Sequence, residues 1–268
     1  MEEIVAPYLE KSLARTELDA GVSLKAAQAV VQTLKKYCAA LKVGNLKDLQ
    51  VAINDVEKAE LALRQQIATT KASWDFNVDS YLNSNAFIKE ILATGEQKGV
   101  RIFERDDRLY CYPVLIRIVP SERLVRIDRT SEKRLRPTVL VNNLKELQKR
   151  APRFRPEVFL EALHTAYKKA VQLKGKGLPI SGTVISLLEI YELFTLLPGQ
   201  SKEYSKQEFA RDLYLLDRSG VSATRNGAKV SLPASTGTKI PSRTLSIINE
   251  NGQEKLYYGI SFSDEEVQ

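Results

Sequence analysis

The chain has 268 residues, of which 43% are hydrophobic and 27% charged, and a formal net charge of +7. This is the composition of a globular chain long enough for a sizeable core, and its longest apolar run is far short of the roughly 20 residues that a membrane span needs. With one histidine and two cysteines, histidine-rich metal centres, disulfide frameworks and zinc knuckles are excluded, and any Ser-His-Asp relay would depend on His164 alone.

The first residues are acidic and carry neither a basic nor an apolar leader, so the expected setting is reducing and cytoplasmic, with no membrane. Residues 22–43 carry Leu24, Ala27, Val31, Leu34, Cys38 and Leu41 at alternating steps of three and four, which predicts an amphipathic helix with that stripe buried. Gly44 suits the left-handed position that ends a helix, and Asn45 can cap the next one, with Asp48 in its first turn. Leu46, Leu49, Ile53, Val56, Leu63 and Ile67 continue the spacing, interrupted by Glu60. Two such faces around a two-residue break predict an antiparallel helical hairpin. Residues 22–67 would serve as a core pair, or would dock a protein partner or a second copy.

Trp74, Phe76 and Tyr81 read as aromatic core at a domain joint, and Phe87, Ile88, Ile91 and Leu92 as a short helix ending at Gly95. From residue 99 the period changes to two. Residues 109–119 read as one strand, placed at an edge or bulged by Pro113, which cannot donate to a ladder. A turn at 119–122 lets 124–128 pair back as a hairpin. A short helix follows over 140–150, and Pro156 starts another whose stripe is Phe159, Leu163, Ala166, Ala170 and Leu173.

Residues 174–177, Lys-Gly-Lys-Gly, form the expected second domain boundary. Ser181 or Thr183 would cap an apolar helix over 184–197. Ser205 and Glu208 form a capping box for a helix that buries Phe209, Leu213 and Leu216 and stops at Gly220. Asn226-Gly227 predicts a tight hairpin between 221–224 and 229–232, and Asn251-Gly252 a second between 244–248 and 255–262. Helix, helix and hairpin over 183–232 resemble a winged-helix domain, a module that docks nucleic acid or protein, with Gln200–Tyr204 supplying a single turn between its helices. The expected fold is α+β: a helical hairpin over 1–95, a basic β-hairpin and helix unit over 96–176, and a winged-helix-like unit over 177–268.

The positive charge is concentrated. Residues 101–156 hold 15 Lys and Arg against seven Asp and Glu, while the stretches before and after are close to neutral. A local excess of this kind attracts polyanions, and guanidinium groups bind phosphate in bidentate fashion. The candidate phosphate contacts are Arg117, Arg123, Arg126, Arg129, Lys133, Arg134, Arg136, Lys145, Lys149, Arg150, Arg153 and Arg155, expected on one continuous outward surface. The 205–218 helix has no net charge, with Lys206, Arg211 and Arg218 against Glu208, Asp212 and Asp217, which points it toward protein docking.

Other chemistries are weaker. Asp106 and Asp107 with Glu122 or Glu132 would be needed for a magnesium nuclease, and Glu96-Gln97-Lys98 is a poor match to the Glu-x-Lys pattern. There is no GxxxxGK[ST], and His164 falls off the stripe of its helix. Cys38, on the predicted buried face, and Cys111, in a strand, are both expected to be inert. No cofactor and no metal ligand set is expected. The preferred function is a non-catalytic nucleic-acid-binding or accessory subunit. A protein-interaction scaffold without nucleic acid and a metal-dependent nuclease are the alternatives.

Overall fold

The structure, a computed structural model, describes residues 8–105, 108–175, 182–233 and 243–263. Asp106, Asp107, Ser181 and the second half of the 174–177 break lie outside the described residues. The chain is α+β and divides into two compact units: residues up to Thr94 with Arg134–Val141, and Gly95–Lys133 with the chain from Asn142 onward. Among the described residues no helix is long and apolar enough to cross a membrane.

The first unit is built on the antiparallel pair α1 (Leu9–Val43) and α2 (Leu46–Ser73), followed by α3 (Val78–Asn83) and most of α4 (Ala86–Lys98). Gly44 adopts φ 66°, a conformation that costs a residue with a Cβ, and the Asn45 side chain accepts the Asp48 N–H at 3.2 Å. Helix α1 begins well before residue 22. Its N-terminus is capped by a distant carboxylate: buried Glu90 accepts the N–H groups of Leu9 at 2.8 Å and Glu10 at 3.0 Å, and the Tyr81 hydroxyl. Phe76, Tyr81, Leu82, Phe87, Ile88 and Ile91 are buried around it, whereas Trp74 is exposed. Helix α4 runs through Gly95 instead of ending there; a Cβ at that point would lie 3.0 Å from the Ile102 side chain.

The hairpin buries a stripe shifted from the expected one on α1, where of the predicted series only Ala27 is partly covered, while on α2 the expected Leu49, Val56 and Leu63 are turned inward and Leu46, Ile53 and Ile67 are not. On α1 the positions turned away from solvent are Ser23, Ala26, Val30, Thr33, Tyr37 and Ala40, one residue ahead of the predicted leucine series. On α2 they are Leu49, Ala52, Val56, Ala59, Leu63 and Gln66, continued by Thr70, whose hydroxyl meets Ser23 Oγ at 2.7 Å. Leu24, Val31, Leu34, Cys38 and Leu41, with Leu46, Ile53 and Ile67, remain exposed.

The second unit opens with an antiparallel sheet of β1 (Phe103–Arg105), β2 (Arg108–Cys111), β3 (Val114–Val119), β4 (Leu124–Ile127) and β5 (Thr130–Glu132), in that order. The predicted single strand over 109–119 is therefore two strands. Tyr112 and the proline that cannot donate make the turn between them, with a cis Tyr112–Pro113 bond. The 124–128 return strand forms as expected after a 3-10 turn at Pro120–Glu122. One face buries Leu109, Cys111, Ile116, Val125 and Ile127. The C-terminal half of α5 (Pro137–Lys149) lies against this face, with Gln148 at the Cys111 thiol and Asn143 3.5 Å from Glu132.

The rest of the unit comprises α6 (Pro156–Leu173), β6 (Ile185–Ser186), α7 (Leu187–Phe194), α8 (Gln200–Glu203), α9 (Lys206–Ser219), β7 (Lys229–Ser231), β8 (Leu245–Ile248), β9 (Glu254–Tyr257) and β10 (Gly259–Ser263). Strand order β6-β10-β7 joins the helices into one body, and β8-β9 forms a separate hairpin. The elements follow the order implied by the winged-helix resemblance, and α8 supplies the single turn. Two details differ. The 184–197 segment starts as strand β6, and its helix is capped by Ser186, not by residue 181 or 183. Residues 221–224 form no full strand, but the hairpin around Asn226-Gly227 is present in short form: Ala223 and Lys229 make an isolated antiparallel bridge, flanked by Thr224 N–H to Ala228 O at 2.9 Å and Val230 N–H to Ser222 O at 2.8 Å, while β7 itself pairs with β10. The second Asn-Gly turn joins β8 to β9 as expected, with Gly252 at φ 79°, but the predicted 255–262 strand is two: after Tyr258 it continues as β10, which pairs with β6 and β7 instead of β8. Leu160, Leu163 and Tyr167 from before the 174–177 break share one core with Ile190, Phe209 and Leu213 from after it.

Candidate functional site: an arginine-lined cleft

Antiparallel register sets cross-strand partners on the same face of a sheet. In the five-stranded sheet, Phe103 pairs with Tyr110 and Tyr110 with Leu115, forming an apolar row that packs into the C-terminal core. Two residues along the strands, on the same face, the partners become arginines. Arg105 pairs with Arg108, Arg117 pairs with Arg126, and the β2-β3 register continued by one step sets Arg108 opposite Arg117. Four guanidinium groups thus run across four adjacent strands. Like charges placed directly opposite destabilise a sheet, so a row of this kind is maintained against a cost.

The row borders a cleft of about 70 Å³, lined also by Asp128 and Arg129 and, from the α8–α9 side, by Lys202, Glu203, Ser205 and Glu208. That is space for several waters or one tetrahedral oxyanion. Five cations face three carboxylates. Two of the carboxylates are already committed. Asp128 accepts the Leu115 N–H at 3.0 Å and pairs with Arg211. Glu208 closes the capping box, accepting Ser205 N–H at 2.7 Å and Ser205 Oγ–H at 2.8 Å. Burial pulls the Arg211 pKa down, but Asp212 and Asp128 beside it more than offset this and hold it above the usual arginine range.

The cleft's own cations are less committed. The side chains of Arg108 and Arg117 make no hydrogen bond or ion pair among the described residues. Arg126 reaches Glu122 only at 3.5 Å, and its Nε is buried without a hydrogen-bond partner among the described residues. A buried donor left unmatched costs about 1–3 kcal/mol, a cost that an incoming anion would remove. Arg129 lies 6.0 Å from the centre of the Tyr204 ring. Arg105 is held by Glu254 at 2.8 Å and anchors the end of the row.

The twelve residues proposed from sequence do not make one surface. Arg117, Arg126 and Arg129 line the cleft. Arg123 is exposed at the turn before β4, where it takes φ 49°. Lys133 and Arg134 are exposed after β5. Arg136 belongs to the first unit and is engaged there by Glu10 and Glu17, each at 2.7 Å. Lys145 donates to the Lys98 carbonyl at 2.9 Å and Lys149 pairs with Glu146 at 2.7 Å, both on the helix that covers the opposite face of the sheet. Arg150, Arg153 and Arg155 are exposed between α5 and α6. Sequence reasoning missed Arg108 and Lys202. Arg108 would have been found by splitting the strand at Pro113, because Arg108 then falls opposite Arg117.

Helix α9 has little free surface. Phe209, Leu213 and Leu216 are buried in the core, Tyr214 meets the Tyr112 ring at 5.7 Å, and Asp217 is taken by Lys255 and by the Tyr257 hydroxyl at 3.0 Å. Exposed Cys38 contradicts the expected burial of that thiol, while Cys111 is buried as expected for a strand residue. His164 is half-buried with its ring 4.7 Å from Phe262. Among the described residues no group of three or more His, Cys, Asp or Glu is arranged to hold a metal ion. No protein-family model, curated protein or solved structure matches the chain.

Proposed function

We propose that the chain is a non-catalytic nucleic-acid-binding or accessory subunit that grips the phosphate backbone through the arginine row and its cleft. The observation that carries this reading is the cross-strand alignment of Arg105, Arg108, Arg117 and Arg126 beside Arg129 and Lys202. Backbone contact, not base reading, is the mode supported, because α9, the helix that would enter a groove in a winged fold, is largely covered within its own unit. Phosphate contacts hold and orient a strand without specifying its sequence.

Fluorescence anisotropy with duplex and single-stranded oligonucleotides, titrated with salt, tests the proposal. Each neutralised phosphate contributes a slope of about −0.9 in log affinity against log salt on duplex DNA and about −0.7 on single strands. Five cleft cations predict a slope of roughly −3.5 on single strands to −4.5 on duplex DNA. Affinity that stays level between 50 and 200 mM salt, or that survives replacement of both Arg108 and Arg117 by Gln, rejects it.

A further inference from the structure

We infer that the α1–α2 hairpin is a self-association surface, and that its occupant is the same hairpin of a second copy, giving a four-helix bundle. The inference does not depend on the arginine cleft.

Helix α1 carries two heptad series side by side. The first, from Ser23 to Ala40, is spent on α2. The second, one residue on, places Leu24, Val31, Leu34 and Leu41 about 100° around the helix. In an antiparallel pair, a rotation in the same sense on both helices leads to the same side of the hairpin. On α2 the residues one step past the seam include Ile53 and Ile67, so these six side chains share one face. Each is between 38% and 61% exposed. The opposite flank, one step before the seam, offers only Val22 and Val51 as large exposed aliphatics. A helix with two adjacent heptad seams has the pattern of one that packs against two neighbours, and the hairpin supplies one.

Six half-exposed aliphatic side chains amount to roughly 500 Å² of apolar surface, the size at which an exposed patch marks an interaction site. With its polar border the face approaches the roughly 800 Å² per partner of a stable interface. Charge selects the occupant. On α1, Lys35 and Lys42 border this face and no carboxylate lies between residues 22 and 43, while Lys25 and Lys36 fall on the opposite flank. On α2, Glu57 and Glu60 lie one step past the seam, on the face, with Arg64 a turn further on, whereas Asp48 and Asp55 lie one step before it. A two-fold contact laying α1 of each copy on α2 of the other matches these charges twice and closes on itself as a dimer. Pairing α1 with α1 would set lysine against lysine.

The test is the mass of the full chain in solution by sedimentation between 1 and 100 μM. The wild type should approach about 60 kDa, twice the 30.1 kDa of one chain. Leu34→Lys with Ile53→Lys should return the single-chain mass with unchanged helical signal, since both side chains are exposed in one copy; Val51→Lys, on the other flank, should leave the dimer intact. Cys38 lies on the paired face, so its reaction with a thiol reagent should slow several-fold as the chain concentration rises. A single-chain mass at 100 μM overturns the inference, leaving the face to a different helical protein, and so does a dimer indifferent to the double substitution. Should that variant lose helix, the Cys38 rate decides: one that does not change with concentration overturns the inference.

Discussion

Replacing Arg117 by Gln should make the free protein more stable and the bound one weaker. Arg117 sits in the middle of the row, opposite Arg126 by register and one register step from Arg108, with no carboxylate or carbonyl bound to it among the described residues. Like-charged cross-strand neighbours each cost about 0.2–1 kcal/mol, so removing the central charge relieves two such contacts, about 1 kcal/mol together at low salt. Glutamine keeps most of the aliphatic stem, which limits the packing loss. For a unit of this size 1 kcal/mol raises the melting temperature by roughly 2–4 °C. The gain should fade at 0.5 M salt, where screening shortens the reach of the repulsion to a few ångströms. Over the same substitution, nucleic-acid affinity should fall about tenfold, and the salt slope should flatten by about 0.9 on duplex DNA. Thermal melts at 20 and 500 mM salt, run beside anisotropy titrations, read both effects. A variant that melts lower at low salt and binds as well as the wild type would show Arg117 to be a structural residue and refute the reasoning.

Glu90→Gln should lose about 2–3 kcal/mol, because the buried carboxylate that receives the Leu9 and Glu10 amides and the Tyr81 hydroxyl becomes a weaker and partly mismatched acceptor; a denaturant midpoint unchanged from wild type would dismiss this cap. At Glu10, burial pulls the carboxyl pKa up, but hydrogen bonds from Arg136 and the Thr138 N–H outweigh it and hold the pKa below the ordinary value of 4.5. A depressed carboxyl contributes stability that is present above 4.5 and lost as pH falls through the lowered value. Arg136→Gln should therefore cost about 0.5–1 kcal/mol at neutral pH and progressively less below pH 4, and a gap that holds constant to pH 3 would contradict the assignment. Burial pushes the Cys111 thiol up to about 12, whereas Cys38 is exposed, so at low micromolar protein and pH 8 one thiol should react quickly and the other only on unfolding. Two fast thiols would place Cys111 at the surface.

Local chemistry was legible wherever a residue acts on its near neighbours in the chain. The stop at Gly44, the Asn45 cap, the capping box of Ser205 and Glu208 and the turn at Asn251-Gly252 all stand where sequence placed them. So do the hairpin of helices, the return strand after Pro120–Glu122 and the α+β class. The candidate site was only partly legible. Charge counting found the right stretch of chain but not the arrangement, because lysines and arginines adjacent in sequence fall on a strand, on the helix behind it and in the first unit. Arg117 and Arg126 became a site through register; Arg108 joined them from the same basic stretch once the strand was split at Pro113, and Lys202 from a helix outside it.

By itself the sequence determined most of the helical segments and the ends set by local caps and turns, such as Gly44, Asn45, Ser205 with Glu208, and Asn251-Gly252, since hydrogen bonds to atoms a few residues away and the φ preferences of Gly and Asn decide those matters; the start of α1, the run of α4 through Gly95 and the strand at the head of the 184–197 segment were not decided locally. Only the tertiary structure decided which of two adjacent heptad stripes on α1 is buried, that a carboxylate far along the chain caps that helix, and which arginines face one another across the sheet. Periodicity marks stripes that can be buried, and on α1 the stripe that meets α2 is the one a single position ahead of the leucines. Register and long-range caps depend on partners distant in sequence, and a one-residue shift in pairing moves every side chain to the other face.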